Sequence, residues 1–160
     1  MIKERYISTI ENLYQLFSFL NLSFFEKKLP EVLLTIEPRA EPNIRGYFRP
    51  RPNRFRAIAD NGYDDFLFQI NISFESLSLE WIDISAILLH EMAHLYDHLQ
   101  SGSTKHDAKF SLVCEKVGLS VQFADGEWKS TSLLPESRNR IFDFLHKMNF
   151  SSRPLIYRKP

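Results

Sequence analysis

Two histidines and a glutamate lie within five consecutive residues, His90-Glu91-Met92-Ala93-His94, which match the pattern H-E-x-x-H. On a helix, this spacing places both imidazoles one turn apart on the same face, where they can bind one metal ion. Neutral imidazole suits zinc, and a catalytic zinc site keeps one of its four positions open to water. Glu91 can then act as the general base that takes a proton from that water. The motif therefore predicts one Zn²⁺ ion on His90 and His94, with Glu91 as the catalytic residue of a hydrolase.

The residues around the motif predict a long helix over residues 78–98. Apolar side chains recur there at helical spacing, at Trp81, Ile84, Leu88, Met92 and Leu95. Ser78 is expected to cap the start of this helix, and the segment 101–103, which contains Gly102, is expected to end it. Two histidines on a core-facing stripe can also be buried and hydrogen-bonded without a metal. We favour the metal site because chance rarely produces this pattern in a chain with 5 His.

A third protein ligand must follow the motif, and the sequence offers His98, His106 and Glu115. His90 and His98 are about 12 Å apart along a straight helix at 1.5 Å per residue, so His98 is expected at the surface or behind the ligands. His106 follows a glycine-containing turn and can fold back over the first helix. We therefore expect His106 to be the third ligand, ahead of Glu115, whose ordinary role is an exposed helical carboxylate.

Two further spacings bear on the residues after the motif: one excludes an extended zinc-binding pattern, and the other predicts where the next helix starts. The extended pattern H-E-x-x-H-x-x-G-x-x-H is excluded, because Asp97 and Gln100 stand where glycine and histidine are required. Thr104 and Asp107 resemble a capping box that opens another helix toward Gly118, with His106 in its first turn.

The remaining elements predict an α+β domain. Residues 4–20 carry an amphipathic pattern, and residues 135–148 predict a last helix. Short β-prone runs at residues 32–36, 45–48 and 66–72 predict strands, and the alternation in the last run predicts one buried and one wetter face. We expect one domain over residues 1–160, in which a small, mainly antiparallel sheet lies beside the H-E-x-x-H helix in a zincin-like arrangement.

The composition bears on the cellular compartment of the protein and on whether it binds nucleic acid or a membrane. The 20 basic residues balance the 20 acidic residues, so there is no overall field to attract nucleic acid or a membrane. No apolar run approaches the roughly 20 residues that span a bilayer, and the first residues lack a secretory signal pattern. Cys114 is the single cysteine, which excludes an internal disulfide framework. We expect a cytoplasmic protein without a membrane partner, and no pattern indicates an oligomeric state.

Several segments occur in an order that resembles the SprT-like zinc metallopeptidases, a family that includes the Spartan proteases acting on DNA–protein crosslinks. The resemblance covers roughly residues 10–130, with residues 133–160 as a C-terminal helix and tail, and it lies in segments 24–30, 45–48, 69–73, 88–96, 106–110, 118–119 and 126–128. It implies that His90, His94 and His106 bind zinc and that Glu91 is catalytic. It also implies a protein substrate, and it raises DNA as a second partner.

A local cluster of basic residues is the basis of a DNA-binding hypothesis. Arginines alternate with aromatic residues in one segment, at Arg45, Arg49, Arg51, Arg54 and Arg56. Positive charge attracts phosphate and aromatic rings stack on exposed bases, although a solvated loop explains the same composition. We therefore predict a zinc metallopeptidase that acts on proteins, with DNA-associated proteins as candidate substrates. The alternative is a non-catalytic, zinc-stabilised module that binds DNA or protein.

Overall fold

The elements that surround the H-E-x-x-H motif follow one another along most of the chain. A computed structural model describes residues 1–50 and 68–154. The helices are α1 (Ile2–Phe25), α2 (Trp81–Ser101), α3 (Ala108–Lys116) and α4 (Pro135–Lys147), with a 3₁₀ turn at Phe74–Ser78. The strands are β1 (Leu33–Glu37), β2 (Gly46–Pro50), β3 (Phe68–Ser73), β4 (Leu119–Ala124) and β5 (Glu127–Leu133). Within these ranges no helix has both the length and the apolar composition to cross a bilayer.

The strands form two small sheets. In the first, β3 lies in the centre, parallel to β1 and antiparallel to β2. The second is the antiparallel hairpin of β4 and β5. The fold is therefore α+β, as predicted, with a mixed first sheet in which β2 is an edge strand among the strands of residues 1–50 and 68–154.

The hydrophobic core lies between the first sheet and the helices. Helix α2 is its central element, because it contacts α1, α3, α4 and strands of both sheets. On β3, Ile70 and Ile72 are fully buried in this core. The prediction of a wetter opposite face was wrong, since Gln69 and Asn71 are also fully buried. Their side chains are partly satisfied through Thr35, whose Oγ1 accepts from Gln69 Nε2 at 2.8 Å and donates to Asn71 Oδ1 at 2.9 Å.

The start of α2 differs from the prediction. Ser78 is not its cap, because the Ser78 hydroxyl donates to the carbonyl of Glu75 at 2.8 Å and so belongs to the preceding 3₁₀ turn. The helix begins after Glu80, and the amide of Trp81 donates to the carbonyl of Ser152 at 3.0 Å. At the other end, Gly102 has a left-handed φ of 73° and its amide donates to the carbonyl of His98. The motif thus lies in the middle of a helix that is held at both ends.

The start of α3 also differs. The side chain of Asp107 accepts a hydrogen bond from the amide of Phe110 at 3.0 Å, so Asp107 is the N-cap in place of Thr104. His106 consequently lies in the loop just before the helix and not in its first turn. This loop position leaves the His106 backbone free of the helical hydrogen-bond ladder.

Candidate metal centre

Three histidine side chains converge at one end of a cleft. His90 and His94 are on α2, and His106 is in the loop before α3. The Nε2 atoms of His94 and His106 are 2.9 Å apart, and those of His106 and His90 are 3.3 Å apart. Ligand atoms of the three residues all lie within 4.8 Å of one another. A zinc ion with tetrahedral bonds of about 2.0–2.1 Å to nitrogen needs ligand atoms about 3.3 Å apart. The three histidines are therefore close enough to bind a metal ion, and their spacing fits zinc.

A short reversal of the chain brings His106 to the other two histidines. Helix α2 ends at the left-handed Gly102, and Ser103 Oγ accepts the amide of Lys105 at 3.1 Å in the turn that follows. The Asp107 cap then starts α3, which packs on α2. Because His106 immediately precedes that cap, the start of α3 fixes where its ring lies.

Aromatic rings hold the histidines in place. Phe110, one turn into α3 and fully buried, stacks on the ring of His94 with centroids 4.0 Å apart and planes 12° apart. Trp128 of β5 stacks on His106 at 4.6 Å, with planes only 4° apart. Stacked rings have little freedom to rotate, so these two contacts keep the ligand nitrogens turned toward one another.

The electrostatic environment keeps the three imidazoles neutral. Burial, together with the nearby His106, lowers the pKa of His90 to about 4. Burial and then the two neighbouring histidines lower the pKa of His94 to about 3, and burial also lowers the pKa of His106. A metal ion binds an imidazole through a ring nitrogen that carries no proton. The cluster thus offers three neutral nitrogen donors at neutral pH.

Glu91 is the next residue along α2 after His90, and its side chain is only 6% exposed. Burial raises the pKa of its carboxyl to about 8, an effect that a backbone hydrogen bond from Phe48 partly opposes. A cation bound by the histidines would favour the carboxylate form instead. Glu91 is not part of the three-residue group that could bind an ion. Its position suits a group that exchanges protons with a reactant in the cleft.

Gly46 of β2 allows the sheet to approach α2 closely beside Glu91. A Cβ at this position would lie 2.8 Å from the carbonyl oxygen of Asn71 and 2.9 Å from Cγ2 of Ile87. It would also lie 3.5 Å from Cγ of Glu91. Only a residue without a side chain fits there, so the close approach of β2 to α2 beside Glu91 depends on this glycine.

The cleft has a volume of about 900 Å³. Its lining includes residues of α2 from Asp83 to His94 and residues of β2 and β5. His106 and Trp128 lie at the metal end, and Arg138 of α4 is also part of the lining. The three histidines therefore share one cleft with residues of two strands from different sheets.

Two residues considered as third ligands lie elsewhere. The ring of His98 packs between Phe48 and Phe68, at centroid distances of 5.7 and 6.1 Å. Glu115 is exposed on α3 and is not part of the three-histidine group. Glu115 has the exposed position of an ordinary helical carboxylate, whereas His98 is half-buried against aromatic rings of the first sheet.

The predicted nucleic-acid segment is only partly described. Arg45 lines the cleft, and its carbonyl accepts hydrogen bonds from the amide of Ser73 and the hydroxyl of Ser76. The Arg49 guanidinium lies 4.2 Å from the centre of the Tyr47 ring. Three further arginines are outside the described residues, at positions Arg51, Arg54 and Arg56. DNA contact through this segment stays a prediction.

Sequence reasoning did not identify Thr131, which contacts the cluster directly. Its Oγ1 lies 2.8 Å from Nδ1 of His90. The signal for its strand was present, because Asp125-Gly126 is a typical two-residue hairpin turn and both residues have positive φ, 55° and 76°. The contact itself joins residues that are 41 positions apart and has no local signature.

Comparisons with known proteins agree with the site. A sequence model described as the SprT-like family matches residues 13–131, which is more than half of the chain. Searches of curated proteins and of solved structures returned no match. The family match includes all three histidines, Glu91 and Thr131, and the chain belongs to the SprT-like family.

Proposed function

We propose that this protein is a zinc metallopeptidase that hydrolyses peptide bonds of protein substrates, with a zincin-like arrangement in which α2 is the active-site helix. The observation that carries the proposal is the convergence of three Nε2 atoms at the end of an open cleft, next to a buried glutamate. Family membership supports the same activity.

His90, His94 and His106 would hold the zinc ion through their Nε2 atoms. When bound, zinc acts as a Lewis acid and makes water nucleophilic at neutral pH. Three protein ligands leave one tetrahedral position free, which is typical of catalytic zinc and not of structural zinc. Stacking of Phe110 on His94 and of Trp128 on His106 limits the motion of these two rings.

Glu91 would move the protons of the reaction. Its carboxylate accepts a proton from the attacking water and later gives it to the nitrogen of the leaving amine. The backbone hydrogen bond from Phe48 orients the carboxyl group, and the contact at Gly46 keeps β2 close to it. The strand that would contact a substrate therefore also holds the general base.

An extended peptide fits the shape of the cleft. Within the described residues, β2 pairs with β3 and also lines the cleft. Strand addition supplies main-chain hydrogen bonds with little demand on the substrate's sequence. The part of β2 that lines the cleft includes Tyr47 and Phe48, and β5 contributes residues to the same cleft. We propose that substrates bind as an extended segment between these two strands.

Replacement of Glu91 by Gln tests the proposal. The variant keeps the size of the side chain but cannot accept the proton, so casein hydrolysis should fall about 10²- to 10⁴-fold while zinc content is unchanged. Glu115→Gln is the matched control, because Glu115 is exposed and outside the cluster. Full hydrolysis by zinc-loaded Glu91→Gln would show that another group is the base.

The wild-type measurement separates the two predicted functions. If zinc binds but neither casein nor other unfolded proteins are cleaved, the non-catalytic binding module replaces the peptidase. Assays with and without single-stranded DNA test the DNA prediction independently. A DNA-dependent change in rate that Arg45→Ala and Arg49→Ala diminish would support contact through these residues, since loss of phosphate contacts weakens binding.

A further inference from the structure

One strand of the second sheet contacts two of the three histidines. On β5, the hydroxyl of Thr131 lies 2.8 Å from Nδ1 of His90, and the indole of Trp128 stacks on His106. His90 comes from α2 and His106 from the loop before α3, so these two contacts link separate elements. The strand thus connects parts of the cluster that no single helix holds together.

Trp128 and Thr131 can both face the cluster because the strand is irregular between them. Side chains three residues apart on a regular strand point to opposite faces. In the hairpin, Gln122 pairs with Ser130, whereas the next residue, Phe123, pairs with Trp128. Lys129 is therefore an extra residue on β5, which is the definition of a β-bulge. The bulge shifts the alternation by one, and both side chains then lie on the face that meets the histidines.

Metal binding through Nε2 would select one tautomer of His90. Nε2 of His90 faces the other two histidines, with the Nε2 of His106 at 3.3 Å. If Nε2 is the metal ligand, it carries no proton, and the proton of the neutral ring is on Nδ1. Nδ1–H then donates to Thr131 Oγ1, and the 2.8 Å between these two atoms is a typical hydrogen-bond distance. A partner of this kind fixes the ring and strengthens the ligand nitrogen.

We propose that Thr131 is a positioning residue for the metal site, which orients His90 through Nδ1, and that the bulge at Lys129 places it there. This inference rests on the proposed function only in that His90 binds a metal; it does not require that the protein cleaves peptides. Thr131 itself is not a metal ligand and takes no part in proton transfer.

The direct test compares zinc affinity in variants at position 131. Thr131→Val keeps the shape of the side chain and removes the acceptor, so its affinity for Zn²⁺ should fall about 10- to 100-fold in competition with a chromophoric chelator. Thr131→Ser keeps the hydroxyl and should return the affinity close to that of the wild type. Gln15→Val is the control, because it makes a polar-to-aliphatic change at an exposed position of α1, outside the cleft lining. It should bind zinc as the wild type does.

Two further measurements separate positioning from a merely structural role. If Thr131→Val lowers the melting temperature of the metal-free protein but binds zinc with wild-type affinity, the proposal is overturned. NMR of the His90 ring in the folded, zinc-loaded wild-type protein needs no variant, and it should show the proton on Nδ1. A proton on Nε2 would refute the proposal even if Thr131→Val failed to fold. Absence of casein cleavage alongside these affinity changes would refute the peptidase and leave this inference intact.

Discussion

Replacement of Gly46 by Ala should damage both stability and catalysis, because one methyl group would enter a contact between β2 and α2 that has no room for it. The new Cβ would lie 2.8 Å from the carbonyl oxygen of Asn71 and 2.9 Å from Cγ2 of Ile87. An ordinary contact requires 3.4 Å or more. β2 must therefore move by about 0.6 Å from Asn71 on β3 and by about 0.5 Å from Ile87 on α2, or these groups must shift by similar amounts.

The size of both effects follows from this displacement. Overpacking of a filled interior costs about 1–3 kcal/mol of the free energy of unfolding. In a chain of this length, each kcal/mol corresponds to about 2–4 °C, so the melting temperature should fall by about 2–12 °C. The shift would also stretch the backbone hydrogen bond from Phe48 to Glu91. Since misplacement of a catalytic group by about 1 Å can cost 10²-fold in rate, we expect kcat to fall about 10- to 100-fold.

The assay must separate lost stability from misplacement of the base. Ile141→Val is the control, because Ile141 is fully buried on α4 outside the cleft lining, and the change should cost about 0.5–1.5 kcal/mol. Thermal denaturation and casein hydrolysis are measured for both variants well below their melting temperatures. The control should keep wild-type kcat. Wild-type stability and kcat in Gly46→Ala would refute the close-approach argument, and an equal loss of kcat in both variants would refute the link to Glu91.

Two other changes test how the cluster is built. Asp107→Ala removes the acceptor for the Phe110 amide and should cost about 0.5–2 kcal/mol of stability, while Asp107→Asn keeps a capping oxygen and should recover most of it in thermal denaturation. An Asn variant as unstable as the Ala variant would contradict the capping role. A zinc chelator should lower the melting temperature of the zinc-loaded protein by about 5–11 °C, because free metal at 100 times Kd contributes about 2.7 kcal/mol to a protein of this size. His106→Ala should remove this chelator-dependent difference, and its persistence would show that zinc binds elsewhere.

The parts of the fold that the sequence predicted well depend on local periodicity. The repeat of apolar residues along α2 is set by the helix itself, so the motif's placement on a helix needed no tertiary information. The same reasoning found β1 and α4 within one or two residues of their ends. Local patterns were less informative at helix starts. Ser78 has good capping chemistry, but its hydroxyl donates to Glu75 and α2 starts after Glu80 without a side-chain cap; Thr104 has such chemistry too, but Asp107 caps α3.

Burial on both faces of β3 shows a second limit of local patterns. Alternation predicted that Gln69 and Asn71 face water, yet both are fully buried. Their hydrogen bonds run to Thr35 on the neighbouring strand β1. A polar residue is compatible with burial when a partner on another strand satisfies it, and that partner is not visible in the strand's own pattern.

Part of the candidate site follows from local sequence patterns, and part depends on tertiary contacts. The spacing of His90, Glu91 and His94 is a property of five consecutive residues, so composition and helix geometry were sufficient to identify them. The support of those residues comes from Gly46 on one side and Thr131 on the other, and neither residue type suggests a role in a metal site. A threonine on a strand is ordinary, and it reaches His90 only because an extra residue shifts the alternation of β5. The chemistry of this cleft is therefore encoded locally, whereas the precision of its geometry depends on contacts that form only once the two sheets close on α2.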